Sequence, residues 1–221
     1  MLPDRLTGID ESNRGRHYLL EEGDRCYYFS EYQGRGGYAA SETNQLIFNY
    51  KCKPTRAALS PGRRWHKENA ITQVVAGLRR VMSQANAEAY TWVPVPTLKI
   101  EGHADYDDRL IRTLTRAFTG YDADVRVLLR QTESTEPDHD ADDRLTADAL
   151  YALLEVDNEA LAAAPLRRAI VLFDDVLTSG KHFKCAVRRL RTVFPADVPI
   201  VGVFIARCVF PDPADDFEVL Q

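Results

Sequence analysis

The chain has 221 residues, 45% of them hydrophobic and 28% charged, with a net charge of −5. That length suits one α/β domain with additions, and the apolar share predicts a packed core rather than disorder. The excess of acid argues against a protein that coats nucleic acid by bulk charge, and no apolar run reaches membrane-spanning length.

Residues 1–16 (MLPDRLTGIDESNRGR) are charged and unpatterned. They predict a mobile or surface-lying arm and are too polar for a signal peptide. Residues 26–32 (CYYFSEY) read as an aromatic strand, residues 34–37 (GRGG) as a turn, and residues 46–51 (LIFNYK) as a second strand, so the pair predicts an antiparallel hairpin. Tyr27, Tyr28, Tyr32 and Phe48 could stack on a base or belong to a core. Residues 53–64 read as a loop with Pro54, Pro61 and Gly62. Residues 65–85 predict a helix, because Ile71, Val74, Val75, Leu78, Val81 and Met82 share one face.

Residues 90–95 (YTWVPV) predict a buried strand that stops at Pro94, since proline cannot donate to a ladder. A loop over 99–108 and a helix over 109–118 follow. Residues 125–129 (VRVLL) predict a third buried strand. Residues 131–144 form a polar loop with six acids, where His139 lacks a second ligand at metal spacing. Residues 147–156 fit either a short helix or a strand. The four cysteines, Cys26, Cys52, Cys185 and Cys208, never form C-x-x-C. They predict reduced thiols in a cytoplasmic protein rather than a zinc site or disulfide framework.

The stretch that organises the chain is 168–190, RAIVLFDDVLTSGKHFKCAVRRL. Residues 169–173 are an apolar run, rich enough in Ile and Val to predict a strand over 168–174 buried on both faces, with Asp174 and Asp175 at its end. A short polar turn then gives way to a basic helix over 181–193, with Phe183, Val187 and Leu190 on one face. A final buried strand is predicted over 200–206 (IVGVFIA). Free N–H groups of the turn and first helical turn, with the helix dipole, make a cradle for an anion such as phosphate. It is not a P-loop: the earlier glycine is absent, and His182 stands where a Ser or Thr would ligate a metal. Strand and helix alternate, so the sheet should be mostly parallel, flanked by helices, with ligands at the carboxyl ends of its strands.

FDDVLTSGKHF resembles the 5-phosphoribosyl-1-pyrophosphate (PRPP) signature of type I phosphoribosyltransferases, although a Thr or Ser usually stands where this chain has His182. VPVPTLK is similar to the pyrophosphate loop of that family's ComF-like (competence-protein) branch, and VLLRQTESTEPDHDADDRL to its flexible hood loop. The branch's N-terminal cysteine-rich zinc element is missing here. The resemblance implies a type I phosphoribosyltransferase fold, with residues 1–64 as an arm and β-hairpin hood and 65–221 as the α/β core. Asp174 and Asp175 would hold the ribose hydroxyls with Mg²⁺ nearby, and Thr178, Ser179, Gly180, Lys181 and His182 would wrap the 5′-phosphate. Pro96, Thr97 and Lys99, with Arg109 and Arg130, would take the pyrophosphate, and Arg144 would anchor the far end of the hood loop.

The activity so implied is transfer of the phosphoribosyl group from PRPP to a nucleobase or other nitrogen acceptor, with release of pyrophosphate. The hairpin hood would choose the acceptor, whose identity the sequence leaves open, as it does a homodimer. Two alternatives remain: a PRPP- or nucleotide-sensing regulator without catalysis, and a nucleic-acid-associated accessory factor, which the acidic balance disfavours. No membrane partner is expected.

Overall fold

The computed structural model describes residues 2–135 and 145–210. Its centre is a six-stranded sheet in the order β1-β2-β8-β7-β3-β4. The strands are β1 (Thr7–Gly8), β2 (Arg25–Gln33), β3 (Thr91–Pro94), β4 (Asp124–Val125), β7 (Ile170–Leu177) and β8 (Ile200–Val209). All neighbours are parallel except the β1 edge, which runs antiparallel to β2. The protein is therefore an α/β protein with a mostly parallel mixed sheet flanked by helices.

Side-chain alternation along the strands divides the core in two. Phe29, Val171, Phe173, Val203 and Ile205 point to one face, against α2 (Glu42–Tyr50), α4 (Pro61–Val81) and α6 (Arg109–Ala117). Tyr28, Ile170, Leu172 and Phe204 point to the other, where α9 (Lys181–Leu190) covers them with Phe183, Ala186 and Leu190. Both faces of β7 are buried, as its unbroken apolar run requires.

Several expectations are corrected. Residues 46–51 are not a strand, so no hairpin forms. They belong to α2, where Ser41 Oγ accepts from Asn44 N at 3.0 Å and Leu46, Ile47 and Tyr50 fall at helical spacing on the buried face. Released from that pairing, β2 lies parallel to β8 from Arg25↔Val201 to Gln33↔Val209. Helix α4 runs unbroken across positions 64 and 65, starting at Pro61 behind the Ser60 cap, and ends at Val81 rather than Ala85. The arm is folded onto the domain. Leu2 is buried in the core, and α1 (Glu11–Arg14) has a capping box from Asp10.

Residues 125–129 do not make one strand. Arg126 is buried and donates to the carbonyls of Ala164 (2.7 Å) and Pro165 (3.1 Å) and to Asp124 (2.7 Å). The chain leaves the sheet there, and β5 (Leu129–Gln131) pairs antiparallel with β6 (Leu154–Val156) in a separate ribbon. The ambiguous 147–156 stretch is both things in turn, α7 (Ala147–Ala152) and then β6. The motif strand and the last strand extend beyond the predicted ranges, because β7 stays paired with β8 as far as Leu177↔Arg207. Asp174 and Asp175 thus lie inside β7 rather than after it. The helix after them stops at Leu190. Among the described residues no helix is long and apolar enough to cross a membrane, and all four cysteines are free thiols.

Candidate functional site

Strands β3 and β7 are neighbours whose connections leave in opposite directions, β3 through α6 to β4 and β7 through α9 to β8. Such a topological switch point opens a crevice at the strands' carboxyl ends. On the β3 side the ladder ends at Pro94↔Phe173. Asp174 and Asp175 follow immediately, paired only with β8 and open toward the crevice left by β3. A cleft of about 780 Å³ occupies this place. Pro96, Thr97, Lys99, Arg109, Asp174, Asp175 and residues 178–182 all line it. Its lining contains six lysines and arginines (16, 51, 53, 99, 109, 181) against four aspartates (105, 107, 174, 175), an excess of cation on a net acidic chain.

The two motif carboxylates are buried and differ sharply in environment. Asp175 Oδ1 accepts from Lys51 Nζ at 2.9 Å and its Oδ2 from Arg109 Nη2 at 2.5 Å. Burial alone would raise its pKa, but these two cations more than reverse that and hold the carboxyl below the usual carboxylate range. Asp174 accepts the Asp175 backbone N–H at 2.7 Å, and its other oxygen lies 4.0 Å from His182 Nδ1. Burial first, and the Asp175 charge second, push Asp174 up to about 7. The pair therefore offers one locked anion and one carboxyl poised to titrate near neutrality.

The predicted anion cradle sits beside this pair. Gly180 caps the ten-residue α9 with φ 89°, a left-handed conformation that glycine adopts without strain. An added Cβ would also approach Leu20 Cδ2 to 2.8 Å. Lys181 donates to the Leu145 carbonyl at 2.7 Å. His182 is partly exposed at the rim.

The structure separates the remaining predicted residues. Arg109 is buried and spans Asp175 and Asp107 (3.0 Å), so it holds a carboxylate in place rather than presenting a guanidinium to pyrophosphate. Arg130 pairs with Asp157, the cap of α8 (Asn158–Ala162). It lines a smaller cavity of about 240 Å³ that shares Pro96, Thr97 and Lys99 with the cleft. Of the proposed stacking aromatics, Tyr28 is core, while Tyr32 and Phe48 pack together with centroids 6.3 Å apart. The aromatics exposed along the cleft are instead Tyr18 and Phe210. Arg144, His139 and the acids from Glu136 onward lie outside the described residues.

Sequence reasoning missed Lys51, Arg16 and His17. Lys51 is the C-cap of α2; nothing local announces a partner 124 positions away. His17 lies just past the unpatterned arm, where no local pattern marks it, yet it is fully buried with Nδ1 donating to the Thr178 carbonyl.

Among the described residues no cluster of three or more His, Cys, Asp or Glu is arranged to hold a metal ion. Asp175, with both oxygens taken by cations, does not fit as a metal ligand in this arrangement. Asp174 fits better: its Oδ2 has only a half-exposed histidine 4.0 Å away, leaving one carboxylate for a divalent cation whose other ligands come with the bound molecule.

The fold and cleft define an α/β protein with a crevice of predominantly cationic lining at a topological switch point. A scan of the sequence against protein-family models gave no match, and a search of curated proteins gave none.

Proposed function

We propose that this protein binds PRPP with Mg²⁺ in the cleft and transfers its phosphoribosyl group to a nitrogen acceptor, as a phosphoribosyltransferase-like enzyme of type I fold. One observation carries the reading. The carboxylate pair, the 178–182 turn at the α9 N-terminus and the 96–99 loop after β3 line a single crevice across the switch point. A sugar carrying a phosphate at one end and a pyrophosphate at the other matches that division. The turn's N–H groups and the helix dipole take the 5′-phosphate. Asp174 accepts from the ribose hydroxyls. Lys99, with Thr97, takes the pyrophosphate.

In the reaction the C1–oxygen bond to pyrophosphate breaks, the C1–nitrogen bond forms, and the acceptor nitrogen loses a proton. Negative charge grows on the leaving group, and Lys99 on that side stabilises it. Asp174 is the residue that would hold Mg²⁺, which would supply further charge neutralisation for the leaving group. Arg109 and Lys51 keep Asp175 ionised and fixed, which sets the electrostatics around Asp174. No side chain needs to act as a nucleophile.

A second reading, PRPP sensing without turnover, is favoured by the pairing of both Asp175 oxygens, which leaves one carboxylate of the pair for ligand. Pyrophosphate release from PRPP and Mg²⁺ across a panel of nucleobases and other nitrogen acceptors separates the two. Release with any acceptor supports the enzyme. Saturable PRPP binding without release supports the sensor. Absence of binding contradicts both.

A further inference from the structure

We propose that His17 is a positioning residue for the anion-binding turn, fixing through its Nδ1–H the backbone that presents Ser179 and Gly180 to the ligand. The inference rests on the anion-binding reading of residues 178–182.

The segment that continues the arm, residues 17–20, is zipped to three consecutive residues of the turn, Thr178, Ser179 and Gly180. His17 Nδ1 donates to the Thr178 carbonyl. Leu19 N donates to the Ser179 carbonyl at 3.0 Å. Leu20 packs on Gly180 so closely that an added Cβ there would meet Leu20 Cδ2 at 2.8 Å. The segment itself is bent into shape by Leu20 N donating to the His17 carbonyl at 2.7 Å.

Peptide planarity turns these contacts into a statement about the ligand side. In a trans peptide the C=O and the following N–H point in opposite directions. Tying down the carbonyls of Thr178 and Ser179 therefore sets the N–H groups of Ser179 and Gly180 on the side away from the arm's donors. Those are the first donors of the cradle, and both residues line the cleft. A cradle works by pre-orientation, since donors already aimed need no ordering when the anion arrives.

Histidine suits the position for a definite reason. A carbonyl only accepts, so Nδ1 must carry the proton. Nε2 is buried without a hydrogen-bond partner among the described residues. Burial, with Arg207 of β8 and the neighbouring Arg16, disfavours a charged ring. The neutral ring therefore keeps its single proton on Nδ1, and the donor does not wander between the nitrogens. Asparagine can place a donor near Nδ1; phenylalanine fills the space with none.

The test compares wild type, His17→Asn and His17→Phe by calorimetric titration with inorganic phosphate and ribose 5-phosphate. Thermal unfolding and ¹⁵N backbone order parameters at Ser179 and Gly180 are read in parallel. The expected result is about tenfold weaker anion binding in His17→Phe, of the order of one lost hydrogen bond, and recovery of most of it in His17→Asn. The Ser179 and Gly180 amides should show lower order parameters in His17→Phe and regain order in His17→Asn. Unchanged anion affinity in a folded His17→Phe would overturn the proposal, as would affinities that simply track melting temperature in both variants. If wild type binds neither anion, the functional reading fails instead. The amides then decide the positioning claim alone: unaltered order parameters in His17→Phe overturn it, and loss of order with asparagine rescue sustains it.

Discussion

Arg109 Nη2 meets Asp175 Oδ2 at 2.5 Å while its Nη1 meets Asp107 Oδ2 at 3.0 Å, so one buried guanidinium joins two buried carboxylates. Lys67, itself buried, adds its Nζ to Asp107 at 2.7 Å, and Lys51 closes the other end on Asp175. The chain of charges ties α2, α4 and the start of α6 to the motif strand. Removing Arg109 leaves Asp175 with Lys51 alone and Asp107 with Lys67 alone, so each buried carboxylate loses one charged partner. Arg109→Met should therefore cost about 2–3 kcal/mol of folding stability. Adding Asp175→Asn should return part of that loss, because one of the two under-partnered charges goes with it. Urea unfolding of the two single variants and the double variant measures this; strictly additive losses would contradict the network.

The two motif carboxylates pull stability in opposite directions with pH. Asp174, raised to about 7 by burial and then by Asp175, binds its proton more tightly folded than unfolded, where the ordinary value is 3.8. Its contribution is present below the unfolded value and is lost as pH rises through roughly 4 to 7. Asp175, held low by Lys51 and Arg109 against the effect of burial, contributes above the ordinary range and is lost as pH falls below it. Between pH 5 and 7.5 wild type should thus lose stability relative to Asp174→Asn, which removes the titration. Parallel unfolding curves of the two proteins across that interval would refute the assignment.

Gly180 carries two separable constraints, a φ of 89° and the approach of Leu20. Gly180→Ala should cost about 1–3 kcal/mol and weaken phosphate binding, since both strain the cradle. Leu20→Ala in the same chain should relieve the steric part and leave the backbone part. A double variant no better than Gly180→Ala, against the Leu20→Ala background, would show that φ alone matters.

The motif and its surroundings were legible because their signals are local. An apolar run, two acids, a turn with one glycine and an amphipathic basic helix sit within 23 residues, and the structure brings them to one crevice with the loop after Pro94. What escaped was set by distant partners. The stretch LIFNYK has strand-like composition, but a cap at Ser41 and the 46, 47, 50 spacing make it a helix, and that spacing was readable. Arg126 breaks a strand-like run only because carbonyls from residues 160–165 are there to receive it. Asp174 and Asp175 were placed at a strand end, whereas β8 outlasts β3 and carries β7 past them. The pairing of Asp175 with Lys51, and of His17 with Thr178, depends on the folded chain and leaves no trace in either local pattern.

The central claim is that the cleft is built for a phosphorylated sugar pyrophosphate completed by a divalent cation at Asp174. Calorimetric titration of PRPP into wild type and Asp174→Asn, each with and without Mg²⁺, tests it most directly. The account predicts saturable wild-type binding that Mg²⁺ strengthens, with proton release near pH 7 as Asp174 ionises, and loss of the Mg²⁺ effect in the variant. Wild-type protein that takes up no PRPP in either condition, or Mg²⁺-enhanced binding that Asp174→Asn leaves intact, would contradict it.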